Sequence, residues 1–358
     1  MKPSKSQLFN IAAFLVGTGI IFYLIVFQIG WEKTQIHITE MGPAFLWLFP
    51  IYLITLIGDT FSWRLLIRKP VSLIRVMLVA NSGTAINALT PSGDGGEFVK
   101  GNLIKQEIGG PESVSSLLLW NFLYAVTKKI LAILGPILYL IFGPFSEDPV
   151  AVPTKIVWGF LIAGILTSIH LPLLYLLVKY YGVEKSAALF HKLPIIRRID
   201  SEKFLGFARK IEEAFHAFAG AYFTRFLLAG LLLFIAHVSV CLEIWFVLKM
   251  LGMDISPITS LLLFTGTALL QTLVSFSPVE MGVTEAGQMG IFSLIGFNPG
   301  IGMLQEFVRR LRRLVFNFLG LAYLGYCAFT PERPYIEKEE GDTGENENSA
   351  APEITPAP

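Results

Sequence analysis

Apolar runs of about 20 residues or more recur along this chain, and each is long enough to cross a hydrocarbon core of ~30 Å as a helix. They cover Leu8–Ile29, Pro43–Ile67, Ser113–Phe142, Lys155–Lys179, Thr224–Met250 and Gly302–Phe329. Backbone inside a bilayer must satisfy its own hydrogen bonds, which restricts runs of this kind to helices. Composition agrees: 53% of the 358 residues are hydrophobic and 15% are charged, too apolar for a usual soluble domain. The expected fold class is therefore all-α integral membrane, a polytopic helix bundle. The first run follows Lys2 and Lys5. It is longer than a signal-peptide core and no A-x-A site follows, so it reads as a retained helix.

Other classes lose support on the same page. A net charge of +1 carries no nucleic-acid signal. Cys241 and Cys327 both lie inside apolar runs and read as packing residues. No metal-ligand spacing, Walker motif or GxGxxG is present, so no metal and no cofactor is expected.

Two stretches break the apolar pattern in the same way. Thr90–Leu103 reads TPSGDGGEFVKGNL, and Ser275–Gly287 reads SFSPVEMGVTEAG. Each has a proline (Pro91, Pro278), a glycine four residues on (Gly95, Gly282), then a glutamate (Glu97, Glu285). Proline ends a helix and glycine permits a tight backbone, so each predicts a break between two short helices. Lysine- and arginine-rich short loops stay in the cytoplasm. The N-terminus, Arg64–Arg75 and Tyr180–Tyr222 are basic, whereas Gly143–Thr154 and the link near Asp254 are not. With the basic segments inside, the Pro91 stretch enters and leaves from the cytoplasm and the Pro278 stretch from outside. Both termini are then cytoplasmic.

The pattern is an inverted repeat of span, re-entrant broken-helix hairpin and span. Repeat one is about Pro43–Phe142 and repeat two about Thr224–Phe329, within a membrane domain of residues 1–329. Lys155–Lys179, with a kink expected at Pro172, and the linker of about 180–222 join them. In that linker Phe204, Phe207, Ile211, Phe215 and Phe218 recur at spacings of three and four. They predict an amphipathic helix, either lying in the membrane interface or packed on its neighbours. Residues 330–358 read as a disordered acidic tail.

Charges inside the spans are the candidate site. Glu306, Arg309, Arg310, Arg312 and Arg313 fall within roughly 160° of one helix face, and Phe307, Val308, Leu311 and Leu314 cover the other. One central arginine facing lipid costs about 2.5–3.5 kcal/mol, so this face must meet water, protein or a ligand. In the first repeat Asn121, Tyr124 and Lys128 share a face with Lys129 beside it, and Glu97 and Glu285 are the carboxylates available to pair with these cations. Asp59 and Glu243 are further carboxylates inside apolar spans.

These residues carry a resemblance. TPSGDGGEFVKGNL resembles the first signature of the lysylphosphatidylglycerol synthase transmembrane family, also called the flippase-like domain family. Thr90, Pro91, Gly95, Gly96 and Glu97 match it, and Lys100 stands where the family has a basic residue, usually arginine. Pro278, Gly282 and Glu285 match the second signature, while Val279 and Glu280 replace its glycine pair and add a carboxylate. Arg309, eleven residues before Gly320, matches a third feature. The resemblance runs from about Leu8 to Phe329.

It implies a protein that moves lipids between leaflets, without the soluble aminoacylating domain of some relatives. A non-enzymatic lipid transporter is thus expected, sited in a bacterial or archaeal cytoplasmic membrane. Arg309, Arg310, Arg313 and Lys128 would hold a headgroup phosphate. Glu97, Glu280 and Glu285 would hold a cationic group or balance the arginines. Expected partners are a membrane lipid with a phosphate-bearing headgroup, a second copy of the chain and a separate lipid-synthesising enzyme, with no nucleic acid. Two alternatives remain: a membrane-embedded lipid-modifying enzyme with Glu97 and Glu285 as acid and base, and a non-transporting scaffold that recruits partners through its tail or amphipathic helix.

Overall fold

Leucine, isoleucine, valine and phenylalanine occupy all sides of most spans, so neither α-helical nor 3-10 backbone has a strongly polar side to turn outward. The computed structural model describes residues 42–88, 95–146, 148, 151–173, 176, 180, 182, 184–185, 201–274 and 283–330. Every element among them is helical. A 3-10 turn, Gly42–Trp47, leads into α1, Leu48–Leu65. Then come α2 (Leu73–Asn87), α3 (Gly95–Ile108), α4 (Gly110–Phe142) and α5 (Thr154–Ser168). The second half holds α6 (Ser201–Ala219), α7 (Phe223–Met250), α8 (Pro257–Val274), α9 (Val283–Leu294) and α10 (Pro299–Phe329). The first run Leu8–Ile29, the motif positions Thr90, Pro91, Pro278, Glu280 and Gly282, and the tail after Thr330 lie outside the described residues.

Four of the described helices are long and apolar enough to cross a membrane by length and composition: Gly42–Leu65, Gly110–Phe145, Thr154–Leu173 and Phe223–Met250. The chain is an integral membrane protein. Leu53, Ile54, Ile57 and Phe61 form one exposed stripe on α1, and Leu227, Leu228, Leu231 and Ile235 form another on α7. The spacing of the two stripes is identical, and both suit contact with acyl chains.

Helices pair across the sequence. α1 packs on α7, α2 on α10, and α4 on α8, while α3 packs on α2 and α4, and α9 on α8 and α10. The α4–α8 contact shows why the sequence permits it. Pro136 lies inside α4 and has no N–H for the carbonyl of Ala132. Thr265 of α8 supplies the missing donor, its Oγ1 lying 3.0 Å from that carbonyl. Gly135 lets the helices approach this closely, since a Cβ there would sit 2.5 Å from Thr265 Oγ1. The α2–α3 contact uses the same device. A Cβ on Gly96 would fall 1.8 Å from the Gly83 carbonyl oxygen, so the helix bearing Glu97 can lie against α2 only with glycine there.

The kink expected at Pro172 appears three residues earlier. α5 ends at Ser168, Ile169 is a turn, and helix resumes at His170. Proline 172 cannot donate to the Ser168 carbonyl, which places the interruption in the preceding turn. α6 buries Ala208, Ile211, Ala214 and Phe218. Phe218 packs with Leu66, Leu119, Leu123, Ala229 and Leu233. Of the two expectations for the amphipathic linker helix, the described contacts match packing on neighbours, here α4 and α7.

Outside the spans, Asp148 ties the α4–α5 link to the start of α8. Its carboxylate accepts hydrogen bonds from the backbone N–H and, at 2.9 Å, the hydroxyl of Ser256, and from the Thr259 and Ser146 hydroxyls. Burial pushes this carboxyl up, but the donors of Thr259, Ser256 and Ser146 outweigh burial and hold it below the usual carboxylate range. Its folded value is thus below the unfolded one. The stabilisation is full above an unfolded value of about 4 and disappears as pH falls through the folded value. Asp148→Ala is expected to cost about 1–2 kcal/mol at pH 7, the low end for charged hydrogen bonds because water screens the group. Thermal unfolding in detergent should show the gap to the unmodified protein closing below about pH 4.

Candidate functional site

Residues 306, 309, 310 and 313 are three, four and seven apart, so α10 carries them on one face. Glu306, Arg309 and Arg312 are buried. Glu306 pairs with Arg309 at 3.3 Å and with Arg313. Glu243 reaches in from α7 and is 1% exposed. It pairs with Arg312 at 3.0 Å and Arg309 at 3.5 Å. The Arg312 guanidinium also lies 3.8 Å from the ring centre of Tyr52 on α1, a cation–π contact that favours arginine over lysine. Arg310 turns to α9, where it pairs with Glu285 and donates to Thr284 Oγ1 at 3.3 Å. Glu243, Glu306, Arg309, Arg312 and Arg313 are thus linked by ion pairs, and the separate Arg310–Glu285 pair adjoins them on α10, so four arginines and three glutamates from three helices form one network of neighbouring charges. Pairing is what makes the network tolerable, because an unpaired ion taken from water costs several kcal/mol.

A second cluster surrounds Glu97 on α3. Lys100 pairs with it at 2.7 Å, Asn121 of α4 donates to its other oxygen at 3.0 Å, and Asn87 of α2 donates at 3.4 Å. Asn87 also accepts from the Gly96 N–H at 2.6 Å, which secures the first turn of α3. Lys100 is buried and its ammonium stands 4.7 Å from the Trp120 ring centre. The ion-pair partner of Glu97 is therefore on its own helix, and α4 contributes an amide. Glu285 instead pairs with the long helix that follows it.

Tyr52 and Asp59 join the two clusters. They are seven residues apart on α1, hence on one face. Tyr52 lies under Arg312 of the first cluster, and Asp59 is near enough to Lys100 of the second to feel its charge. Asp59 Oδ1 is buried, with no hydrogen-bond partner among the described residues.

Among the expected site residues, the structure brings together Glu285, Glu306, Arg309, Arg310 and Arg313 in one cluster and Glu97, Lys100 and Asn121 in the other. Gly95 and Gly96 open α3. Lys128 stands apart, donating to Gln271 of α8 at 2.6 Å. Sequence reasoning gave no site role to Glu243, Tyr52, Asp59 or Asn87, and it put Arg312 on the charged face without a role in binding. Glu243 and Asp59 had a usable signal, a lone carboxylate in an apolar span. Tyr52 and Asn87 had none, since tyrosine and asparagine are common in membrane helices. No group of three or more His, Cys, Asp and Glu residues is placed to hold a metal ion among the described residues.

No curated protein and no solved structure matches the chain. The family model described as the lysylphosphatidylglycerol synthase TM region matches residues 10–320. That match takes in α1 to α9, both glutamate-bearing short helices and the arginine network, and the chain belongs to the lysylphosphatidylglycerol synthase TM region family.

Proposed function

We propose that this protein is a lipid transporter of the flippase type, passing a phospholipid headgroup between leaflets while the acyl chains stay in the bilayer. The observation that carries the reading is the cluster of paired charges from α7, α9 and α10, with Tyr52 of α1 against Arg312, inside a membrane domain. Ionisable groups at that depth are expensive and mark substrate or ion paths by default. The proposed roles follow the pairing. Arg309, Arg310, Arg313 and Lys128 compete for the headgroup phosphate, and Glu97, Glu280 and Glu285 release or recapture cations as it passes.

The transport reading includes an inverted repeat. Its support is the order of elements: α1 to α4 and α7 to α10 each run as two helices, then a short helix and a long helix. Glu97 and Glu285 are each the third residue of their short helix. A glycine of positive φ, Gly109 or Gly296, follows each short helix, and proline opens the long one. The pairings α2–α10 and α4–α8 exchange with each other if the halves are swapped. Broken helices meeting between inverted repeats are a transporter design. In this reading the two short helices sit in re-entrant hairpins that gate opposite sides, and no chemistry is performed on the lipid.

Purified protein in vesicles should equilibrate labelled phospholipid between leaflets faster than empty vesicles. Release of a chemically altered lipid instead would favour the enzyme reading. Topology gives a separate check. Both termini are expected in the cytoplasm of a bacterial or archaeal cell and Gly143–Thr154 outside, so single cysteines in the tail and in that link should label from opposite sides. Labelling from one side ends the inverted-repeat reading.

A further inference from the structure

Every arginine in the α10 network has a carboxylate partner, and so does Lys100. Lys128 and Lys129 differ. Lys128 donates to the Gln271 amide oxygen at 2.6 Å, and Lys129 to the hydroxyls of Thr272 at 3.0 Å and Thr167 at 2.9 Å. No carboxylate lies within ion-pair distance of either among the described residues. Both lysines sit at the middle of the span Gly110–Phe145, 18 residues from its start (128 − 110) and 17 from its end (145 − 128). Two adjacent ammonium groups at that depth repel each other, and no carboxylate among the described residues offsets them.

We infer that Lys128 and Lys129, with Gln271, Thr272 and Thr167, form the subsite that takes the anionic phosphate of the lipid headgroup, separate from the carboxylate-paired arginines. This rests on the transport reading and divides the cations that reading groups together. Lysine suits the task as a point charge with three donors, and the amide and hydroxyl partners hold the ammonium groups without neutralising them. Arg312 also has donors at Nε and Nη1 with no partner among the described residues, but it is 2% exposed and already paired with Glu243. Lys128 is partly buried, and Lys129 beside it is 8% exposed, so Lys128 is the accessible member of the pair. Ile130, next to Lys129, is 45% exposed. Surface of a kind that faces acyl chains therefore adjoins the pair, which favours a lipid phosphate over a free one.

The test measures binding of short-chain phosphatidylglycerol and of an uncharged diglucosyl diacylglycerol to the full-length protein in detergent. Lys128→Gln/Lys129→Gln is expected to weaken phosphatidylglycerol binding at least tenfold and leave the uncharged lipid unchanged. Lys128→Gln alone, with a thermal midpoint like the unmodified protein, should give part of the same loss if the double variant does not fold. Unchanged phosphatidylglycerol binding, equal loss for both lipids, or displacement by millimolar inorganic phosphate overturns the assignment. Glu280→Gln guards against a carboxylate outside the described residues. If Glu280 neutralises the pair, its removal tightens phosphatidylglycerol binding at least tenfold, and the uncompensated pair is overturned. If binding behaves as expected but vesicles show no lipid movement, the transport reading fails and the anion subsite stands.

Discussion

Glu97→Gln and Glu285→Gln are each expected to slow lipid movement in vesicles by about a hundredfold, equivalent to about 2.7 kcal/mol on the barrier. Glutamine keeps the size and removes the charge. Lys100 would then lose its 2.7 Å partner, and Arg310 would lose its carboxylate on α9. Asn121 and Asn87 can still hydrogen-bond an amide at position 97, so α3 keeps its neighbours. Both sites are partly open, with Glu97 25% and Glu285 15% exposed, so water softens the loss of charge in the resting protein. Transport should thus suffer before stability does. The measurement is flip rate per folded protein. Variants that insert normally and move lipid at the unmodified rate would remove these glutamates from the mechanism. Variants that lose yield while keeping rate per folded molecule would make them structural.

Glu243→Ala should behave the other way, with a loss of stability of about 3–5 kcal/mol. Glu243 is buried, and its removal leaves Arg312 with no carboxylate and Arg309 with only Glu306. Unlike Glu285, neither arginine has an exposed route to water. Adding Arg312→Leu to Glu243→Ala should recover much of the loss, because a buried pair replaced by apolar groups is often near neutral. Some deficit should remain from the lost contact over Tyr52. Thermal unfolding of the single and double variants in detergent decides the matter. A double variant no more stable than Glu243→Ala would mean that burial of the carboxylate, not pairing with Arg312, is what matters.

The run lengths and the scarcity of charge were enough to make this a helical membrane protein, because a bilayer leaves a long apolar segment little but helix. The proline and glycine positions marked where helices end, since both act through the local backbone: α3 opens at Gly95, four positions after Pro91 in the sequence, and α5 is interrupted just before Pro172. Periodicity put Glu306, Arg309, Arg310 and Arg313 on one face, and the motifs carried the family. Partners were another matter. Which carboxylate meets Arg312, and that Tyr52 lies under it, depends on α1 and α7 packing together across more than 150 residues of chain. That Glu97 pairs within its own helix while Glu285 pairs with α10 depends on side-chain reach after packing, which the near-identical motifs do not encode. Local rules act over a few residues and are legible in order along the chain. Ion pairs between helices are settled by which faces meet, and only the tertiary structure decided that.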